Sequence, residues 1–438
     1  MFSYYFLLGA RSLRRNRALT ALMILTLAVG VAASVATLTI LRVMASDPIP
    51  QKSDRLFVPE IDVGPLEGYN PAERNYANSL LTYKDAITLL KNGPGERRMA
   101  MYSTSVTIEP AQKDLGVLES EGLAPTREFF NMFDVPFRYG QAWSADDEAR
   151  GAKVVVLSHS LSEKLYGTVN PVGQRLTMAG HPFQIVGVLE AWAPVPKFYR
   201  LIGGPGAFSK EEEFVIPLAS AIALKSGVEG SMSCNTHREP GFQGLLDSEC
   251  TWIQFFFETS SAAGRADVQN YLDNYTAEQR KLGRILRHAK NEVYDVMDWL
   301  RYRKVVANDN RLATWLAFAF LLLCLVNTIG LLLAKFSVRA AEVGIRRALG
   351  ASRRALFHQF LVESAVVGLA GGVLGLLLAL AALALIGTQS EQLSIVAHMD
   401  WLMLGLTFVM ALLAAILAGL LPTWRACQVT PALQLKSQ

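Results

Sequence analysis

Charge is scarce in this chain. Only 18% of its 438 residues are Asp, Glu, Lys or Arg, against about 25% in an ordinary soluble protein. That figure disfavours a fully soluble chain, and it excludes disorder and a coiled-coil rod. The formal charge of +4 is too small to mark a nucleic-acid binder. Four cysteines are too few for a disulfide scaffold. The six histidines are scattered without helical metal-ligand partners, and no Cys-x-x-Cys occurs, so no metal site is expected. The sequence also lacks Gly-x-x-x-x-Gly-Lys-[Ser/Thr], His-Glu-x-x-His and Gly-x-Ser-x-Gly. Phosphate-loop ATP hydrolysis, zinc proteolysis and serine hydrolysis lose their usual signatures. No catalytic residue and no bound cofactor is expected.

What the chain has instead is long apolar runs. They start at Ala18, Leu312, Ala365 and Trp401 and end at Leu41, Ala334, Ile386 and Leu421. A helix needs about 20 mostly apolar residues to cross a bilayer, and each run qualifies. The first is too long for a signal h-region and has no clean cleavage site, so it reads as a retained helix. Arg11, Arg14, Arg15 and Arg17 precede it with no acid. Lys335, Arg339, Arg346, Arg347, Arg353 and Arg354 stand in the loop 335–355 after the second run against Glu342 alone, and Arg425 and Lys436 follow the fourth. The loop holding Glu391 and Asp400 has no base. The positive-inside rule then puts both termini and the middle loop in the cytoplasm and the long segment after the first run outside.

The expected fold is a membrane protein of four transmembrane α-helices, with a large α+β extracytoplasmic domain between helices 1 and 2. Its plan is a cytoplasmic amphipathic elbow helix (1–17), helix 1 with the stalk start (18–44), the outside domain with its stalk helix (45–311) and helix 2 (312–334). A coupling loop (335–355), helix 3 (356–386), a short outside loop (387–400), helix 4 (401–421) and a cytoplasmic tail (422–438) follow. In the elbow, Phe2, Phe6, Ala10 and Leu13 share one helical face and Arg11, Arg14 and Arg15 lie opposite. That pattern fits a helix lying in the membrane interface with its arginines toward lipid phosphates, Arg17 included. In the loop, Gly350 is placed for a left-handed helix stop and Ser352 for a new N-cap.

The stretch Glu342-Val343-Gly344-Ile345-Arg346-Arg347-Ala348-Leu349-Gly350 resembles the coupling-helix motif of MacB/FtsX-family ABC transporter permeases. The tail Pro422-Thr423-Trp424-Arg425-Ala426 and the start Ala10-Arg11-Ser12-Leu13-Arg14-Arg15 are similar to that family's closing motif and elbow helix. So are Phe129 to Phe133, Val154 to Ser158, Asn170 to Gly173 and Phe183 to Val188, which follow the order of a MacB-like periplasmic core domain. The resemblance implies a porter-like outside domain and a permease subunit that carries no ATPase of its own. ATP and Mg are then expected in a partner ABC ATPase present in two copies. A second permease, alike or unlike, is expected too, with a periplasmic adaptor and an outer-membrane duct as further candidate partners. Residues Glu342, Gly344, Ile345, Arg346, Arg347, Ala348, Leu349 and Gly350 would dock the ATPase. The expected work is export across a Gram-negative envelope, from the inner membrane, of antibiotics, peptides or siderophores. Lipoprotein extraction of the LolC/LolE kind and FtsX-like regulation of an envelope hydrolase or sensor are the alternatives.

The outside domain reads as a strand to Leu157, a helix capped by Ser158 and ended by Gly167, and a hairpin around Ala179-Gly180. Residues 263–286 read as helix and 292–306 as a stalk helix feeding the second span. Glu211-Glu212-Glu213 reads as loop, and the fold of 194–250 does not follow from the sequence. Cys234 and Cys250 both lie outside, where an oxidising compartment favours a disulfide. Within the spans, Asn327 is expected to bond a neighbouring helix. Glu363 is expected to meet Arg353, Arg354 or the interface. Gly368, Gly371, Gly372 and Gly375 allow close helix approach.

Overall fold

The stretches 99–102, 154–157 and 252–257 are apolar at almost every position. In a strand, neighbouring side chains point to opposite faces, so such runs need cover on both sides. The computed structural model provides it. It describes residues 16–70, 79–112, 115–202, 206–234, 238–338, 345–346, 349–389 and 391–397, with 405–406, 409–410, 412–413, 416–417, 419–420 and 424. The chain divides into two units, Ser46–Val305 and the remainder.

Ser46–Val305 is built on eleven strands: β1 (Leu56–Glu60), β2 (Leu81–Thr82), β3 (Arg97–Glu109), β4 (Leu118–Pro125), β5 (Phe137–Gly140), β6 (Val154–Leu157), β7 (Arg175–Met178), β8 (His181–Leu189), β9 (Phe214–Val215), β10 (Thr251–Glu258) and β11 (Glu292–Asp295). They run in the order β11-β1-β10-β3-β4-β9-β6-β8-β5, with β2 on β10. The hairpin strand β7 pairs both β8 and β3, so the ladder from β3 through β8 closes on itself. Alternation along β10 sends Phe255 and Phe257 into one core and Phe256 into the other. Helices Tyr83–Asn92, His159–Tyr166 and Gly264–Lys281 cover the first core. The second is an aromatic nest in which Phe133 meets Phe198 and Phe256 edge-on at 5.0 and 5.2 Å. The α+β reading thus holds, with Ser158 capping its helix and Gly167 ending it at φ 63°.

Two sequence expectations need correction. Residues 292–306 do not form one stalk helix. Val293 and Tyr294 pair with Pro59 and Val58 at the sheet edge, and Asp295 then caps the separate Val296–Tyr302 helix. Edge pairing has overridden helical propensity. The helix read over 263–286 stops at Lys281. The loop reading of Glu211-Glu212-Glu213 holds, and within it Glu212 is buried rather than solvated. Its Oε1 lies 3.0 Å from Lys197 Nζ and 3.3 Å from Arg200, and its Oε2 accepts from the Tyr199 hydroxyl at 2.8 Å. All four residues are buried. Burial pulls Lys197 below the usual lysine pKa against the pull of Glu212, and it pushes Tyr199 well above the usual tyrosine value. This network and the Cys234–Cys250 disulfide fasten the irregular 190–250 region, whose fold the sequence pattern did not reveal.

In the other unit, helices Arg17–Met44, Asn308–Ser337 and Arg353–Gly387 are, among the described residues, the three with the length and apolarity to cross a membrane. The first is the hub. A Cβ added at Gly30 would stand 3.0 Å from Cys324 on the second helix. One at Gly371 or Gly375 on the third would stand 2.9 Å from Leu27 or 3.0 Å from Val31. Small residues let these backbones approach where water supplies no driving force. Ser34 Oγ, which donates to its own helix at Gly30, also lies 3.0 Å from the Ala317 carbonyl of the second. The described positions between 405 and 424 are helical, and Gly419 packs against Ser364 of the third helix.

Replacing Glu212 with Ala strands Lys197 and Arg200 in the core and is expected to cost about 3–5 kcal/mol. Denaturant unfolding followed by tryptophan fluorescence measures it, and a loss under about 1 kcal/mol would show the network to be solvent-like. Reducing Cys234–Cys250 is expected to lower stability by about 3 kcal/mol, read as a drop in the same transition on adding reductant.

Candidate functional site

Most of the loop singled out from sequence lies outside the described residues, namely Glu342, Gly344, Arg347 and Ala348. So do Arg11, Arg14 and Arg15 of the elbow helix. Arg17 opens the first long helix and is exposed. What is described of the loop is its end, and there the backbone geometry is specific. The Leu349 N–H donates to the Ile345 carbonyl and the Ala351 N–H to the Arg346 carbonyl at 3.0 Å. Gly350 takes φ +97° between them. This is a helical turn closed by a left-handed glycine, with the Ile345 and Arg346 carbonyls satisfied. Ser352 Oγ accepts from the Ala355 N–H at 3.2 Å and starts the third long helix. Only the left-handed residue must be glycine-like, since other residues adopt that φ at a cost.

The closed turn shows apolar side chains outward. Ile345 is 60% exposed and Leu349 83%. Four apart on a helix, they share one face. Arg346, between them in sequence, instead reaches back and donates to Gln359 Oε1 of the third helix at 3.2 Å. The turn is therefore tied to the helix that follows it while its apolar face stays open.

Beneath the turn sits an ion pair. Lys335, in the last turn of the second long helix, lies 2.7 Å from Glu363 of the third, and both side chains are 2% exposed. Leu332 and Phe336 flank the lysine at helical spacing, and Phe360 and Val367 flank the acid. Those four join Met23 and Leu356 in one apolar cluster, with the Phe336 and Phe360 rings 4.5 Å apart. The sequence offered Arg353 and Arg354 as partners for Glu363, and the structure brings Lys335 to it from the preceding span. No local pattern joins two residues so far apart in the chain. The available signal was subtler: a lone base closing one apolar run and a lone acid opening the next.

Of the other expected positions, Gly371 and Gly375 meet the first helix, and Gly368 and Gly372 are buried. Asn327 is exposed and makes no side-chain hydrogen bond among the described residues; the inward neighbour Thr328 faces Thr26 at 3.5 Å instead. With Leu25, Thr26, Val29, Phe320 and Leu323, Asn327 lines an open groove of about 590 Å³ between the first two long helices. Within the described residues no His, Cys, Asp and Glu cluster could hold a metal ion.

The sequence matches the MacB-like periplasmic core domain family over residues 20–275 and the FtsX-like permease C-terminal family over residues 315–431. It is 26% identical over 313 residues to the pyoverdine export ATP-binding/permease protein PvdT of Pseudomonas entomophila, covering 70% of this chain and 41% of that protein. It is 25% identical over 319 residues to the macrolide export ATP-binding/permease protein MacB of Azoarcus sp., covering 69% of this chain and 40% of that one. The chain thus spans about two fifths of the length of these curated relatives. A solved structure of the periplasmic region of MacB from Actinobacillus actinomycetemcomitans aligns at 14% identity and a TM-score of 0.37, covering 59% of this chain and 96% of that one.

Replacing Lys335 with Met, or Glu363 with Gln, removes one half of the buried pair and is expected to cost about 3–5 kcal/mol. The double replacement Lys335→Met with Glu363→Met should recover most of it. Thermal unfolding in detergent tests this; equal losses in single and double variants would mean that the pair is not a coupled unit.

Proposed function

Because the chain belongs to the MacB-like periplasmic core domain family and ends in an FtsX-like permease part, we propose that it is an inner-membrane ABC transporter permease that transmits force. Its outside domain, 45–311, is inserted between the first two of four spans, with both termini in the cytoplasm. The closed turn at Gly350 carries the proposal. Ile345 and Leu349 form an exposed apolar knob on a turn whose Ile345 and Arg346 carbonyls are satisfied and whose Arg346 is anchored to Gln359. A rigid knob with an open apolar face suits a pocket on a soluble partner.

In this reading the partner is an ABC ATPase, which supplies the ATP and Mg chemistry; these 438 residues contain no phosphate loop. Closure of two ATPase copies pushes the knob on each of two permeases. The buried Lys335–Glu363 pair makes the second and third helices move together at that end, because separating them would bare two charges in an apolar medium. The Gly30, Gly371 and Gly375 contacts carry the motion to the first helix. The first and second helices are the two that lead in the chain to Ser46–Val305. Cargo is exported from the periplasm with an adaptor and an outer-membrane duct. Macrolides and pyoverdine, named for the relatives MacB and PvdT, set the size class of that cargo: small secreted molecules.

One observation favours lipoprotein extraction as a second reading. The groove beside Asn327 is apolar, open and wide enough for an acyl chain. A photo-crosslinking residue at Val29 should capture no lipid-modified protein if export is correct; capture would move the function to extraction.

Ile345→Glu with Leu349→Glu should weaken ATPase docking by about 2 kcal/mol per residue, the loss expected of anchor side chains. Glu342→Lys should uncouple ATP hydrolysis in the same way. Co-purification from native membranes and cargo-stimulated hydrolysis are the measurements. Full coupling in folded variants would remove the knob from the mechanism.

A further inference from the structure

Two amphipathic faces in Ser46–Val305 look at each other across open space. Tyr83, Ile87 and Leu90 form one stripe on the Tyr83–Asn92 helix, and Leu218 and Ile222 form the other on Leu218–Ala223. Between them lies a cleft of about 620 Å³, a volume within the range of small-molecule sites, about 300–1,000 Å³. Its polar side is formed by Glu96, Arg97, Arg98, Thr126, Glu128 and Glu148.

The two bases there are already engaged. Arg97 sits 3.0 Å from the buried Glu258, 3.4 Å from Glu128 and 3.9 Å from Glu96. Arg98 donates to the Gly93 carbonyl. Arg127, next in the chain to Glu128, turns away to the Trp143 carbonyl at 2.8 Å. Glu148 differs from its neighbours. It accepts one backbone N–H, from Arg127 at 2.8 Å, and has no ion pair among the described residues. Burial raises its pKa; the Arg127 N–H opposes that, and the nearby Glu128 charge adds to it against the more distant pull of the Arg127 guanidinium. An under-compensated carboxylate beside two apolar walls favours a ligand that brings positive charge and apolar bulk together.

We propose that this cleft is a binding site for a lipophilic organic cation, with Glu148 as counter-charge and the Tyr83–Leu90 and Leu218–Ile222 stripes as walls. Nucleic acids and anionic ligands are disfavoured by three carboxylates against two engaged arginines. The site stands apart from the transport reading, since binding is measured directly and a failed transport assay would leave it untouched.

Tetraphenylphosphonium is a suitable probe because its charge does not titrate. Equilibrium binding of the tritiated cation to the full chain in detergent should be saturable. Glu148→Gln should weaken it about tenfold, the scale of one partly buried charge contact. Ala223→Trp, which fills the cleft from an exposed lining position, should abolish it. Unchanged thermal unfolding shows that each variant is folded. Affinity equal to the parent's in both folded variants would assign the bound cation to detergent or to the groove beside Asn327, and would overturn the proposal.

Discussion

A lysine and a carboxylate 2.7 Å apart inside an apolar helix bundle constrain everything around them. Either charge alone would cost several kcal/mol there, so the pair holds only while the second and third helices keep their register. A slide of one helical turn, about 5.4 Å, would strand both ions. The turn at Gly350 inherits this precision because it is spliced between the two helices. Arg346 adds a second tie to the third helix through Gln359.

Buried acids play the same part in Ser46–Val305. Asp85 is fully buried, yet it accepts from Thr82 and Tyr275 at 2.6 and 2.5 Å and pairs with Arg284. Glu258 meets Arg97 and Lys52, and Glu212 gathers Lys197, Tyr199 and Arg200. Each joins separate chain segments, Glu258 across the β10–β3 ladder and the other two outside any ladder, and each is satisfied. Against that background Glu148 stands out, with one backbone donor and no ion pair among the described residues.

How much of this was legible depends on whether the signal was local. Glycine and serine punctuation at Gly167, Ser158, Gly350 and Ser352 could be read because capping acts within four residues. The hairpin around Gly180 and the apolar runs were legible for the same reason. The Glu292–Asp295 strand was not, because its stability comes from Val58 and Pro59 far back in the chain. The acidic run at Glu212 is loop, as read, but its burial was not legible, because composition cannot tell a solvated acid from one facing Lys197 and Arg200. Lys335 and Glu363 were both visible as charges at the ends of apolar runs. Their pairing was not, since it depends on how two helices are rotated about their axes.

Asn327 imposes a last constraint. Its amide lies on the open side of the first and second helices, among Leu25, Val29, Phe320 and Leu323. In hydrocarbon an unsatisfied amide costs about 4–8 kcal/mol on an alkane reference. A plain acyl tail in the groove would leave that cost in place. An occupant with its own hydrogen-bonding group, whether a helix or the linkage region of a lipid-modified chain, would remove it. The position therefore separates occupants by chemistry rather than by size, since among the described residues the amide joins no other helix.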